Sequence, residues 1–187
     1  MKKMFLMLVL LITGVFSSVA QKEVSGVKVS DKLTFQGKDF VLNGVGVREK
    51  YWIDLYVGSL YLPKKTSDAK TVINSTDGAI INLNIVSGMI TSEKMMTAVN
   101  EGFEKSLNGK TEPMKDKIAK FESFFKEKIN KGDQFIIANL PNEGVTVYKN
   151  GVKVGVIEGH DFKKALFGIW LSDKPADKDL KAAMLGL

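Results

Sequence analysis

The chain has 187 residues, with 27 basic and 21 acidic side chains, one histidine and no cysteine. That length suits one domain able to bury a core of its own. The missing cysteines exclude a disulfide scaffold, thiol catalysis and cysteine-ligated metals, and the single His160 excludes a multi-histidine metal centre. No metal site and no cofactor are expected.

In chain order, Met1-Lys2-Lys3 precedes an apolar run from Met4 to Val15 and then Phe16-Ser17-Ser18-Val19-Ala20. A charged start, an apolar stretch and small residues at both recognition positions read as a signal peptide over residues 1–20, cleaved after Ala20. The mature domain is then 21–187, periplasmic or secreted. The run is too short for a stable transmembrane anchor, so no stable membrane insertion is expected after cleavage. Without Lys2 and Lys3 the balance is 25 basic against 21 acidic residues, a net charge of +4. The lysines between Lys115 and Lys131 alternate with Asp116, Glu122 and Glu127, as on a solvated helix face, and no basic–aromatic stripe of the nucleic-acid-binding kind is present.

Short strands are predicted at Val27 to Val29 and Leu33 to Phe35, with a turn at Gln36-Gly37-Lys38. Phe40 to Val47 and Tyr51 to Leu62 read as long strands interrupted by Arg48-Glu49-Lys50, and Pro63 ends the second. A short helix fits Ser67 to Ile73, and a strand fits Ala79 to Val86. Thr91-Ser92-Glu93, with a hydroxyl cap and an acid in the first turn, starts a helix whose apolar stripe is Met95, Val99 and Phe103, with Gly109 as its stop. Pro113 opens a second amphipathic helix through Ile118, Phe121, Phe125 and Ile129 to near Gly132. Strands return at Gln134 to Leu140, Val145 to Tyr148 and Val152 to Ile157, the last two joined by the hairpin dipeptide Asn150-Gly151. Asp161 is placed as the cap of a helix to Leu171, and Asp177 to Leu185 forms a closing helix. The pattern is α+β, an antiparallel sheet carrying helices on one face.

Little of the usual chemistry is present. Gly44-Val45-Gly46 leads into a strand and lacks a third glycine, so close strand packing explains it better than a phosphate cradle. His160 suits a cap or the surface, no serine sits in a nucleophile elbow, and Asp54 has no carboxylate twin. Arg48 stands out. On alternating geometry it shares a parity with Trp52 and Tyr56, and an arginine with a tyrosine in an apolar layer makes an anion clamp. A structural salt bridge from Arg48 to Glu49 or Asp54 is the competing reading.

Leu42-Asn43-Gly44-Val45-Gly46-Val47-Arg48-Glu49-Lys50-Tyr51-Trp52, running on to Leu55-Tyr56-Val57-Gly58-Ser59-Leu60-Tyr61-Leu62, resembles a signature of the chalcone isomerase-like family. Lys164-Ala165-Leu166-Phe167-Gly168-Ile169-Trp170-Leu171-Ser172-Asp173-Lys174-Pro175-Ala176-Asp177 resembles its C-terminal signature, and the likeness spans residues 24–185. It is nearest to the bacterial, exported members. The resemblance implies an open-faced β-sandwich: a large antiparallel sheet, a layer of helices over it, and a ligand cleft between. Plant members cyclise chalcones, plastid relatives bind fatty acids, and others have no known catalysis. Arg48 matches the arginine common to enzymes and fatty-acid binders, and Tyr56 the tyrosine that shares the carboxylate. Other polar positions of the enzymes are not matched: Thr91-Ser92 stands for a Tyr-Ser pair, Ala98 for an asparagine and Leu55 for a threonine. The resulting expectation is a non-catalytic binder of a fatty acid or similar amphiphilic carboxylate, with Arg48, Tyr56, Trp52 and Thr91 as ligand-binding residues and no catalytic residue. The alternative is an intramolecular lyase or isomerase acting on a small aromatic or enone substrate.

Overall fold

A computed structural model describes residues 21–187, and the leader expected over 1–20 lies outside the described residues. The elements are β1 (Gln21–Val24), β2 (Val27–Ser30), β3 (Lys32–Phe35), β4 (Lys38–Lys50), β5 (Ile53–Leu62), α1 (Ala69–Asn74), β6 (Ala79–Ile85), α2 (Ser92–Ser106), α3 (Lys115–Ser123), β7 (Gln134–Leu140), β8 (Gly144–Lys149), β9 (Val152–Ile157), α4 (His160–Leu171) and α5 (Lys178–Met184). Strands β3 to β9 form one antiparallel sheet in sequence order, and β1 and β2 pair as a separate hairpin. The α+β class read from the sequence is the class of the fold.

The strands alternate, so the sheet has two apolar faces. On one face Leu60, Ile81, Leu83, Phe135 and Ile137 meet the helices, where Phe103, Phe121, Phe125 and Phe162 form the centre of the core. On the other face Val57, Tyr61, Ile80 and Ala138 lie with Phe40 and Val45 under Val29 of β2. The β1–β2 hairpin therefore caps part of the face that the helices leave uncovered.

Two bulges shape the β4–β5 pair. Leu42 faces Tyr61 and Gly44 faces Leu60, so Asn43 is an extra residue in β4; Arg48 faces Tyr56 and Glu49 faces Asp54, so Leu55 is an extra residue in β5. Asn43 uses its position to hold distant segments: Nδ2 donates to the Met184 carbonyl and Oδ1 accepts from Thr66 N–H, both at 2.8 Å. Beside it α5 crosses β4 so closely that a Cβ on Gly44 would overlap the Ala183 carbonyl, and one on Gly46 would come within 2.5 Å of the Ala183 Cβ. The Gly44-Val45-Gly46 pair thus serves close packing, as read from the sequence.

Three expectations are corrected, and one strand is added. The helix drawn from Pro113 to near Gly132 is a 3₁₀ turn at Glu112–Met114 followed by α3, which stops at Ser123. Phe124 leaves the helix to pack against Gly155 of β9, and the Phe125 carbonyl accepts from Ser92 Oγ, so tertiary contacts end the helix while Phe125 and Ile129 stay buried. Arg48-Glu49-Lys50 does not interrupt a strand; β4 continues through it, and the turn falls on Tyr51 and Trp52. Asp161 does not cap α4: Gly159 occupies that position, and Asp161 pairs with Lys117 at 3.0 Å. The strand β1 carries no alternating apolar signal and exists through its pairing with β2. The Asn150-Gly151 turn forms as expected, with φ values of 49° and 80°.

Candidate functional site

The bulge at Leu55 turns Leu55 and Tyr56 together toward the helices, beside Arg48, their neighbour across the β4–β5 ladder. Above them lie the loop holding Met89 and Ile90 and one face of α2, with Lys94, Met95, Thr97, Ala98 and Glu101. Together they enclose a mostly apolar cavity of about 390 Å³, within the usual size of small-ligand clefts. A smaller recess of about 60 Å³ shares Arg48, Tyr56, Met95, Ala98 and Glu101 with it and continues to Leu83, Ile169 and Trp170. Arg48 and Tyr56 therefore stand where the two spaces meet.

The polar groups at that point are arranged for an anion. Trp170 Nε1 donates to Tyr56 Oη at 3.0 Å. With that lone pair engaged, the phenolic O–H is left to donate elsewhere. Tyr56 is 8% exposed; burial raises its pKa above the ordinary tyrosine value, against the opposing influence of Arg48 and the Trp170 hydrogen bond, so it remains a neutral donor. Arg48 is partly buried, and its Nη1 is buried with no hydrogen-bond partner in the protein. Among the described residues the ion pairs all use lysines: Lys115 with Glu112, Lys117 with Asp161, and Lys149 with Glu127 and Asp133. Neither Glu49 nor Asp54 takes Arg48; Asp54 accepts instead from Ser25 Oγ at 2.7 Å on the opposite face of the sheet. A positive fork with an unsatisfied N–H, a free phenolic proton and apolar walls can hold one carboxylate or similar oxyanion with an apolar tail.

The four residues expected at the site divide into two pairs. Arg48 and Tyr56 face each other as cross-strand partners of β4 and β5, a pairing that alternation counted along the chain does not describe. Trp52 lies at the hairpin tip, 91% exposed, because the chain reverses there. Thr91 is exposed and caps α2, its Oγ1 accepting from Lys94 N–H at 3.2 Å. Trp170, absent from the sequence-based set, touches Tyr56 from 114 positions away. Its place in the C-terminal signature was the available signal. Leu55 and Ala98 do line the cavity, and both present apolar side chains to it.

A second concavity, of about 480 Å³, lies around Asp77, Asn139, Glu158 and His160. Among the described residues no group of three histidine, cysteine or acidic side chains could hold a metal ion, and no helix is long and apolar enough to cross a membrane.

A family model described as chalcone isomerase-like matches residues 21–186. A crystal structure of a fatty-acid binding protein from Arabidopsis thaliana superposes with a TM-score of 0.69 at 18% sequence identity, over 86% of this chain and 92% of that one. No curated protein matches the chain in sequence.

Proposed function

Because the chain belongs to the chalcone isomerase-like family, we propose that it binds a fatty acid, or a similar amphiphilic carboxylate, without turning it over. The carboxylate lies at Arg48 and Tyr56, and the tail lies along Leu55, Ile90 and Met95. The observation that carries this reading is the buried, unpartnered Nη1 of Arg48 inside a mainly apolar cavity. A group that has lost water and gained no protein partner is stabilised most by a ligand that supplies an acceptor. The apolar residues Leu55 and Ala98 support binding over catalysis, since a cyclisation would need polar groups placed to polarise its substrate. The protein is exported after loss of residues 1–20, a reading that rests on the charged start, the apolar run and the small residues Ser18 and Ala20 of that segment.

Calorimetric titration with a long-chain fatty acid and with the alcohol of equal length tests the reading. Burying about 12 methylenes at roughly 0.8 kcal/mol each gives near 10 kcal/mol before association costs, so the tail supplies most of the affinity. A charged hydrogen bond adds about 1.5–3 kcal/mol, so the acid should bind roughly 10- to 100-fold more tightly than the alcohol. Equal affinities would remove the clamp, and binding of neither would remove the lipid reading.

A further inference from the structure

Seven large hydrophobic side chains are exposed among the described residues: Tyr51, Trp52, Ile53, Met89, Val152, Val154 and Leu187. The first four gather at one end of the molecule, on the β4–β5 hairpin tip and the loop facing it, and Tyr51 and Met89 are also walls of the cavity. The turn that presents them is built from unexpected residues. Tyr51 and Trp52 have φ values of 54° and 61°. A two-residue turn with both central φ positive is one that asparagine and glycine occupy easily and bulky aromatics do not. The chain accepts this strain while leaving Trp52 91% exposed, so the aromatics contribute nothing to the core in return.

The charges around the tip are sorted by face. Lys50 pairs with Ile53 in the ladder, and Lys50 and Lys94 line the cavity, whereas Glu49 pairs with Asp54, which turns to the opposite face and is held by Ser25. Arg48, Lys50 and Lys94 thus meet a single cavity-lining acid, Glu101; Glu93, in the first turn of α2, is not part of the lining. A tryptophan and a tyrosine at an apolar tip, flanked by lysines, fit the interface of an anionic bilayer, where aromatic rings settle at headgroup level and lysines meet lipid phosphate.

We propose that the Tyr51–Trp52 tip docks the protein on an anionic lipid bilayer, holding the cavity mouth against the membrane so that ligand passes between the two. The exchange of ligand rests on the fatty-acid reading above; the docking does not. Trp52→Gly is the informative variant, because glycine relaxes the positive φ and Trp52 is not part of the cavity wall. It should fold at least as stably as the wild type.

The wild type should float with phosphatidylglycerol vesicles carrying no free fatty acid and bind phosphatidylcholine vesicles less. The emission of Trp52 should shift to shorter wavelength, and the binding should weaken as salt is raised. Trp52→Gly should bind phosphatidylglycerol vesicles about tenfold more weakly, given the buried aromatic area it loses. Its affinity for fatty acid in vesicle-free calorimetry should be unchanged. Flotation that fails, or that is equal for wild type and Trp52→Gly, overturns the docking. Self-association in vesicle-free sedimentation that Trp52→Gly abolishes, with no flotation, overturns it in favour of a second copy of this chain as the partner. If flotation persists while calorimetry shows no ligand in the cavity, the docking stands and the fatty-acid reading falls.

Discussion

A buried guanidinium N–H without an acceptor costs about 1–3 kcal/mol. Arg48 Nη1 is such a group, so Arg48→Met should leave the unliganded protein as stable as the wild type or more so, while abolishing the preference for acid over alcohol. A merely structural arginine would show the reverse, a lower melting temperature and no change in ligand preference. Tyr56→Phe removes one neutral donor and should weaken the acid by about 0.5–1.5 kcal/mol. Trp170→Phe removes the group that orients that donor, and calorimetry should register a smaller loss of the same kind. Lys163 makes a different residue-scale case. It is fully buried on α4, and its Nζ donates to the carbonyls of Val72, Ile73 and Ser75 at 2.5, 2.9 and 2.9 Å, closing the end of α1. Burial, with help from neighbouring Lys164 and against Asp77, lowers its pKa from 10.5 to about 8. Between that value and the ordinary lysine value the unfolded chain keeps the proton and the native state releases it, so this residue's contribution to stability rises with pH across that window. Urea unfolding should show wild type gaining on Lys163→Met from pH 8 upward. At neutral pH Lys163→Met should already cost about 1–3 kcal/mol, because three carbonyls lose their donor.

Among the elements, α5 depends on the absence of side chains beneath it. Leu180 and Met184 are buried against the core, and the helix reaches that position only because Gly44 and Gly46 let it approach β4. Gly44→Ala would drive a methyl group into the Ala183 backbone, which cannot yield as a flexible side chain would. The expected cost is about 1–3 kcal/mol or more, read as a lower melting temperature together with faster proteolysis in the C-terminal helix. α2 is held more conventionally, by the Thr91 cap and a stripe of Met95, Val99 and Phe103. Its polar side, with Lys94, Thr97 and Glu101, is left to line the cavity. One helix thus supplies both core and site, because a period of 3.6 residues gives it two faces.

At the scale of the whole molecule, a sheet and a helical layer that part at one end leave a cleft, and the residues lining it set its chemistry. With Leu55 and Ala98 in that lining, hydroxychalcone should not cyclise measurably faster in the presence of the protein than in buffer. Removing even one placed donor from an enzyme can cost on the order of 10²–10³ in rate, and turnover of roughly 1–10³ per second in a spectrophotometric assay would overturn the binding reading. Export by the host should yield a protein that begins at Gln21; intact-mass measurement finding Met1 on a membrane-bound form would reject the leader.

Local spacing along the chain was enough for most of the architecture. Alternation marked the strands, a four-residue stripe marked α2, and Asn150-Gly151 marked its turn, since each signal lies within a few residues. Arg48 and Tyr56 could also be singled out, as an arginine and a tyrosine embedded in apolar sequence. Alternation counted along the chain also puts Trp52 with them, because it holds only while a strand runs on without a turn or bulge. The hairpin turn at Tyr51 and Trp52 reverses the chain, and the bulge at Leu55 restores the register that sets Tyr56 opposite Arg48. Turn position and bulges follow from which register buries the most apolar surface across two strands, and alternation within one strand does not contain that comparison. The same holds for the end of α3 at Ser123, decided by Phe124 packing on Gly155, and for Trp170 on Tyr56 and Lys163 on α1. Each joins residues far apart in the chain, and only the folded sheet and its helices bring them within reach.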